Sequence, residues 1–269
     1  MPELPEVNTV AAALQHFFAG ETLAGWQSLT PRLRRPIPDR DQVKDLFGVE
    51  LGQVVRIAKS IYLDFGSKQA LHIHLGMTGF FSMPEKSAKP EKHEHLRLEF
   101  TSGKILAFSD PRRFGVVELA QLPLKRVPEP LAGALDAEYL AAACKGSGRT
   151  IKSLIMDQQI IAGAGNIYAS EALFGAGIRP DRTAGSLAWH EIKALNASLI
   201  RVIETAIASG LDYQRKHGWF LNSETTHFPI ETRVYGRAGE LCEKCGRSSV
   251  ENIRIAGRSS FFCPVCQKV

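Results

Sequence analysis

Between residues 49 and 119 the apolar side chains come in short runs separated by polar or glycine-containing breaks: VELGQVVRIA, SIYLDFGS, ALHIHLGMTGFF, HLRLEFTSGKILAFSD and FGVVELAQL. Runs of this length, rich in β-branched and aromatic residues and bounded by turn formers, predict strands joined by hairpins. TSGK, between LRLEF and ILAFS, is a compact turn whose glycine can supply a positive φ. Ahead of these runs, VNTVAAALQHFF (7–18) sets apolar residues at helical spacing among good helix formers and predicts one helix. The first part of the chain therefore reads as a β-rich domain carrying an N-terminal helix.

The period changes after Pro123, Pro128 and Pro130. DAEYLAAACK, TIKSLIMDQQIIA, NIYASEALFGAG and LAWHEIKALNASLIRVIETAIASG are each helical in spacing, so a helical domain follows. Residues 211–230 mix Gly, Asn, Ser, His and Pro without clear period and predict a long loop, a place where function is often carried. A cysteine-rich module begins near Val234, and no internal repeat or low-complexity tract appears.

Composition adds scale and a partner class. With 269 residues, 44% of them hydrophobic, the chain can bury a real core in two compact units plus a small module. Thirty-three basic against 28 acidic residues leave a net charge of +5, which mildly favours a polyanionic partner. No basic-then-apolar leader is visible, and no uncharged apolar run approaches the roughly 18 residues needed to span a bilayer. The expectation is a soluble, cytoplasmic protein with no membrane partner.

Cys242, Cys245, Cys263 and Cys266 form two CxxC pairs. Each pair can bring two thiolates round one tetrahedral ion, and four sulfur ligands leave no open coordination position, so a structural zinc is expected. Cys144 reads as an incidental or buried thiol. Between the pairs, VENIRIAGRSSFF predicts a hairpin with Arg258 at its tip, where it is either a solvated turn residue or a contact. In IAGAGNIYASEALF, Gly163, Ala164 and Gly165 allow close backbone approach, and Asn166 stands where its amide can cap the next helix or donate to a phosphate. At the other end, MPELPE would expose Pro2 as a secondary amine if Met1 is removed, with Glu3 beside it as a proton donor or acceptor.

PELPEV, HLGMTG, DPRRFG, GAGNIYASEALF and VYGR followed by the two CxxC pairs occur in this order. Together they make the chain resemble the bacterial formamidopyrimidine-DNA glycosylases, within the superfamily shared with endonuclease VIII, from Pro2 to Lys268. That resemblance implies an α+β multidomain fold: an N-terminal β-sandwich with an N-terminal helix (1–130), a helix-two-turn-helix domain (131–232, with a lesion-loop region at 211–230) and a C-terminal β-hairpin zinc finger (233–269).

It also implies base-excision repair of damaged double-stranded DNA by a monomer that needs no catalytic metal or organic cofactor. Pro2 would attack C1′ of the damaged nucleotide, release the base and form a Schiff base, with Glu3 as acid/base and Lys59 assisting beside the lesion. β- and δ-elimination would then cut the strand on both sides. Met77, Arg112 and Phe114 would fill the void left by the flipped nucleotide, and Lys152, Asn166 and Arg258 would grip flanking phosphates. Oxidised purines, 8-oxoguanine and formamidopyrimidines, are the expected lesions. The alternatives are oxidised pyrimidines or hydantoins, as for endonuclease VIII-like enzymes, or a non-catalytic damage-binding protein. His93, Glu94 and His95 are expected to be structural or close to DNA rather than metal ligands.

The chain departs from the family pattern at Asn8, where a further glutamate is usual, and across 211–230, which lacks the usual glycine-rich stretch.

Overall fold

A computed structural model describes residues 2–66, 69–121 and 126–268. The chain forms two compact units: Met1–Arg126 with Ile207–Pro229, and Val127–Ala206 with Ile230–Val269. Segment 207–229 thus belongs with the N-terminal part, whereas the sequence placed 211–230 with the helices. Leu122, Pro123, Leu124 and Lys125 lie outside the described residues, and with them the break expected at Pro123.

In the first unit, helix α1 (Leu4–Phe18) opens the fold. The carboxylate of Glu6 accepts from the Glu3 N–H (2.8 Å), and Pro5 sits in the first turn, where its missing donor costs nothing. Val7, Val10, Ala11, Leu14 and Phe18 form its buried stripe. Eight strands follow: β1 (Leu23–Ser28), β2 (Gln53–Ile57), β3 (Ser60–Asp64), β4 (Gln69–His74), β5 (Phe80–Ser82), β6 (Glu94–Phe100), β7 (Ile105–Ser109) and β8 (Val116–Gln121). They make two four-stranded antiparallel sheets, ordered β1-β6-β7-β5 and β2-β3-β4-β8. Ile61, Leu63, Leu71 and Ile73 of one sheet share a core with Phe81, Leu96, Leu98 and Phe108 of the other, which makes the pair a β-sandwich.

Two features differ from the strand reading. β1 was not anticipated, and the run ALHIHLGMTGFF is cut at GMTG into β4 and β5. The cut is enforced by Gly76, whose φ is 64° and whose Cβ, if present, would lie 2.6 Å from the Gly115 nitrogen.

The second unit contains α2 (Ala137–Cys144), α3 (Ile151–Ile155) and α4 (Asn166–Ala176), and α5 (Trp189–Lys216) starts in it. Asp136 caps α2 by accepting from Tyr139 N (2.6 Å). The segment expected to be helical from 150 to 162 is helical only over α3. Beyond it the Asp157 carboxylate accepts from Gln159 N (3.0 Å) and pairs with Arg149 (3.0 Å), a turn in place of further helix. Conversely, α5 continues six residues past Gly210, into the segment expected to be loop.

By length and composition α5 is apolar enough to cross a membrane. Arg201 and Glu204 fall in its middle, however, and Leu195, Leu199 and Ile203 are buried in the fold. The unit ends in a hairpin of β9 (Glu251–Ile255) and β10 (Arg258–Phe262). Its two-residue turn, Ala256 (φ 46°) and Gly257 (φ 76°), has the consecutive positive φ values that match strand twist.

Candidate nucleic-acid interface and catalytic terminus

The chemistry expected at the N-terminus is held by α1 and the β2–β3 hairpin. Gln15 Oε1 accepts from Val54 N (2.7 Å), and Asn8 Oδ1 accepts from Arg56 Nε (3.3 Å). Moving along α1 toward its N-terminus therefore means moving along β2 toward its turn, Ala58–Lys59. Glu3 and Lys59 are consequently at the same end of this unit. Both are buried, Glu3 at 3% and Lys59 at 8% exposure, while Pro2 is half-buried. Ala58 takes a left-handed φ of 54°, and its carbonyl accepts from Arg56 Nη1 (3.1 Å), so the turn carrying Lys59 is fixed.

Two histidines on β4 support this end. His72 Nε2 meets Ser60 Oγ and its Nδ1 meets Glu118 Oε1, both at 2.9 Å, and its ring stacks on Tyr62 at 4.7 Å. Burial lowers the His72 pKa despite Glu118. His74 lies opposite Ser60 in the sheet and accepts from Gly76 N through Nδ1 (3.0 Å). Burial, reinforced by His72, Lys59 and Arg34, brings its pKa down to about 4. It is therefore a neutral Nε2–H donor near Lys59 at neutral pH. Neither histidine was singled out from sequence; their alternation in ALHIHL shows a shared sheet face but not what lies on it.

Met77, Arg112 and Phe114 are brought together on two touching loops. The organiser is Asp110, fully buried: Oδ1 accepts from Thr78 Oγ1 (2.6 Å) and Arg112 N (3.2 Å), and Oδ2 from Gly115 N (2.7 Å). This carboxylate ties HLGMTG to DPRRFG. Arg112 stacks over Phe114 at 4.8 Å, and Met77 (39%) and Phe114 (45%) are among the few large apolar side chains left exposed. An exposed apolar pair beside a guanidinium can enter a base stack.

The His93–Glu94–His95 cluster supports the same loop. His95 Nε2 donates to the Asp110 carbonyl (2.9 Å), Asp110 N donates to the His93 carbonyl (3.0 Å), and Glu94 pairs with Arg97. It is structural.

In the second unit the four cysteine sulfurs lie within 4.8 Å of one another, with Cys242–Cys266 at 3.9 Å and Cys245–Cys263 at 3.7 Å. A tetrahedral ion with sulfur at about 2.3 Å sets neighbouring sulfurs about 3.8 Å apart. The donor set fits one structural zinc, which these four residues would hold. Cys144 is buried, and burial pushes its thiol up to about 11, far from reactivity.

Glu171, missed in the sequence, fastens this module to α4. Its carboxylate accepts from the backbone N–H groups of Arg233 (2.9 Å), Val234 (3.0 Å) and Tyr235 (2.8 Å). A lone acid inside the apolar stretch NIYASEALFGA was the available signal, since a buried carboxylate requires partners.

Arg258 is exposed as the first residue of β10, directly after the turn. Asn166 is the first residue of α4 rather than its cap, which is Gly165, so the capping reading is corrected. Its Nδ2 donates to the Ser259 carbonyl (3.0 Å), which accounts for one of the two amide N–H groups. Lys152 also departs from expectation: it is 1% exposed, and Nζ donates to Ser170 Oγ (3.0 Å), Ser259 O (3.1 Å) and Ser260 Oγ (2.8 Å). All three ammonium hydrogens are engaged by protein, so none is directed at a phosphate.

Comparison with known proteins matches three family models: the formamidopyrimidine-DNA glycosylase N-terminal domain over residues 1–117, its H2TH domain over 127–216, and the zinc finger found in FPG and IleRS over 239–269. The chain is 39% identical to the formamidopyrimidine-DNA glycosylase of Geobacter metallireducens, covering 99% of this chain and 100% of that one. Among solved structures it resembles Lactococcus lactis Fpg bound to DNA containing an oxidised pyrimidine (31% identity, TM-score 0.87, 100% of both chains). It equally resembles MutM bound to DNA containing carbocyclic 8-oxo-G (30% identity, TM-score 0.87, 100% of both chains).

Proposed function

Because the chain belongs to the formamidopyrimidine-DNA glycosylase family, we propose that it is a bifunctional base-excision glycosylase and apurinic-site lyase that acts on damaged double-stranded DNA through Pro2. The observation that carries this reading is the construction of one end of the first unit, where the Glu6 carboxylate fixes the backbone beside Pro2 and the buried Glu3 and Lys59 accompany it.

With Met1 removed, the Pro2 nitrogen lone pair attacks C1′ and the bond from C1′ to the base breaks, the base leaving with a proton. The sugar ring opens at C1′–O4′, O4′ taking a proton, to give an iminium ion. This cation acidifies the C2′ proton; its loss expels the 3′ phosphate, and a second elimination, with loss of the C4′ proton, expels the 5′ phosphate. Glu3 serves as the acid/base at these transfers. Lys59 and the neutral His74 supply donors to the backbone at the lesion, and Met77, Arg112 and Phe114 occupy the vacated stack. Asn166 and Arg258 take flanking phosphates. The zinc supplies no chemistry; when bound it holds the hairpin that presents Arg258.

Oxidised purines are the proposed first substrates. The resemblance to Fpg bound at an oxidised pyrimidine favours a second, overlapping lesion class. As in bacterial relatives, the setting is the cytoplasm, and work at nucleoid DNA is part of the proposal.

The test is borohydride trapping on duplexes carrying an abasic site or 8-oxoguanine opposite cytosine. A covalent adduct mapped to Pro2 by peptide mass is expected. Correctly processed protein that binds the duplex but gives no adduct would leave a damage-binding protein instead.

A further inference from the structure

Each of the three groups that accept from Lys152 also touches Asn166 or Arg258. Ser170 Oγ donates to the Asn166 carbonyl (2.9 Å), Ser260 Oγ donates to the Arg258 carbonyl (3.3 Å), and the Ser259 carbonyl accepts from Asn166 Nδ2 as well as from Lys152. We propose that Lys152 is a positioning residue for DNA binding: a buried latch that joins α3 to α4 and β10 and so sets Asn166 and Arg258 relative to each other, without itself meeting a phosphate.

Hydrogen-bond polarity gives the latch its direction. An ammonium has three donors and no acceptor, so both serine hydroxyls must accept from Lys152 and are left to donate outward. Their outward targets are the backbone carbonyls of the two residues that face DNA. The charge on Nζ polarises both serines and strengthens those second bonds. Lys152 thus couples residues far apart in the chain, because its acceptors lie 18, 107 and 108 positions away.

The surroundings agree. α3 and the hairpin tip line a groove of about 520 Å³ bounded by Arg149, Thr150, Ser153, Ala256 and Arg258. Lys152 lies along it, yet its ammonium turns inward to the serines, tying α3 to the hairpin. A planar guanidinium cannot present three tetrahedrally disposed donors, so arginine is not a substitute despite equal charge.

The inference rests on the glycosylase reading for the identity of the ligand, and the two can be tested separately. Binding of the full-length zinc-loaded protein to a duplex carrying a tetrahydrofuran abasic-site analogue would be followed by anisotropy across a KCl series. Lys152→Met, Arg258→Ala, the Asn166→Ala/Arg258→Ala pair and the triple variant would be compared, with zinc content and melting checked for each.

For a latch, Lys152→Met alone lowers the salt slope by about one contact, as Arg258→Ala does, and Lys152→Arg fails to restore it. In the Asn166→Ala/Arg258→Ala background it changes neither slope nor affinity. A further loss of about one slope unit in that background would show Lys152 on a phosphate and overturn the proposal. So would an unchanged slope for Lys152→Met in the otherwise wild-type chain.

Should Lys152→Met not fold, Ser170→Ala carries the test. It should weaken binding about fivefold in the wild-type background and not in the Asn166→Ala/Arg258→Ala background. Equal loss in both backgrounds, or none in either, would refute the latch. Wild-type protein that does not prefer the analogue over unmodified duplex would count against the glycosylase reading alone, since the same comparisons can be made on unmodified duplex.

Discussion

Replacing Asp110 by asparagine separates the loops proposed to fill the void from the proposed nucleophile. The carboxylate makes three bonds, to Thr78 Oγ1, Arg112 N and Gly115 N, and is fully buried. Asparagine is nearly isosteric and can keep the two bonds on Oδ1. At Oδ2 it presents an amide N–H to the Gly115 N–H, so that bond is lost and two donors face each other. Hydrogen bonds to a charged acceptor are worth about 1.5–3 kcal/mol. If that loss falls wholly on positioning Arg112 and Phe114 in the transition state, kcat/KM on duplex DNA falls roughly 10–150-fold.

The assay compares excision from duplex 8-oxoguanine DNA with borohydride trapping on a single-stranded abasic oligonucleotide. A single strand has no orphaned partner base and no stack to refill, so trapping there should stay within about twofold of wild type if the loops act on the duplex void. An equal fall on both substrates would mean that Asp110 supports the Pro2 end as a whole, and an unchanged duplex rate would remove Asp110 from the positioning of the loops.

Three other outcomes follow from the geometry. Glu171→Gln should lower the stability of the second unit by about 3 kcal/mol, because one of the three N–H groups loses its acceptor and the others lose a charged one. A melting temperature within 2 °C of wild type, against a fall of roughly 10 °C expected for that loss, would refute this. Gly210→Ala would bring its Cβ to 2.2 Å from Thr9 Oγ1 and 2.9 Å from the Phe228 ring, an overpacking cost of about 1–3 kcal/mol that outweighs the helix-propensity gain. Urea titration should show the loss, and added Thr9→Ala should recover part of it. His74 titrates in the fold at about 4 rather than 6.5, so the unfolded chain binds the extra proton between these values. Its contribution is fully present above pH 6.5 and is lost as pH falls toward 4, by at most about 3 kcal/mol. His74→Gln should flatten the stability curve in that window, and superimposable curves would refute the assignment.

Hairpins were legible because their turn residues and alternating faces are local. β1 was not, since the register shift between Leu23 and Gly25 breaks its alternation and it gains strand form by pairing with β6, some seventy residues on. The end of α5 was misread because polar residues in LDYQRK suggested loop. Leu, Gln, Arg and Lys there are good helix formers, and Gly210, which looked like a stop, is a close-packing point against α1. The zinc set was legible because two CxxC pairs are local, while Pro2, Glu3 and Lys59 rest on the motif resemblance and stay part of the proposal. The inward turn of Lys152 was not legible, because spacing along a helix shows which face a lysine occupies but not whether three acceptors from distant segments await it.

The two departures from the family pattern meet on one helix. Asn8 on α1, in place of a glutamate, is a neutral acceptor for Arg56 on β2. Segment 217–229 is secured against the same unit: Trp219 stacks on His16 of α1 at 4.6 Å, Leu221 joins the sandwich core, and Phe228 packs where Gly210 passes Thr9. A neutral residue near the N-terminal end of α1 and an aromatic clamp near its other end therefore lie on the helix that Glu3 caps. The same contacts that order the segment also brace the helix whose first turn fixes the backbone beside the proposed nucleophile, Pro2.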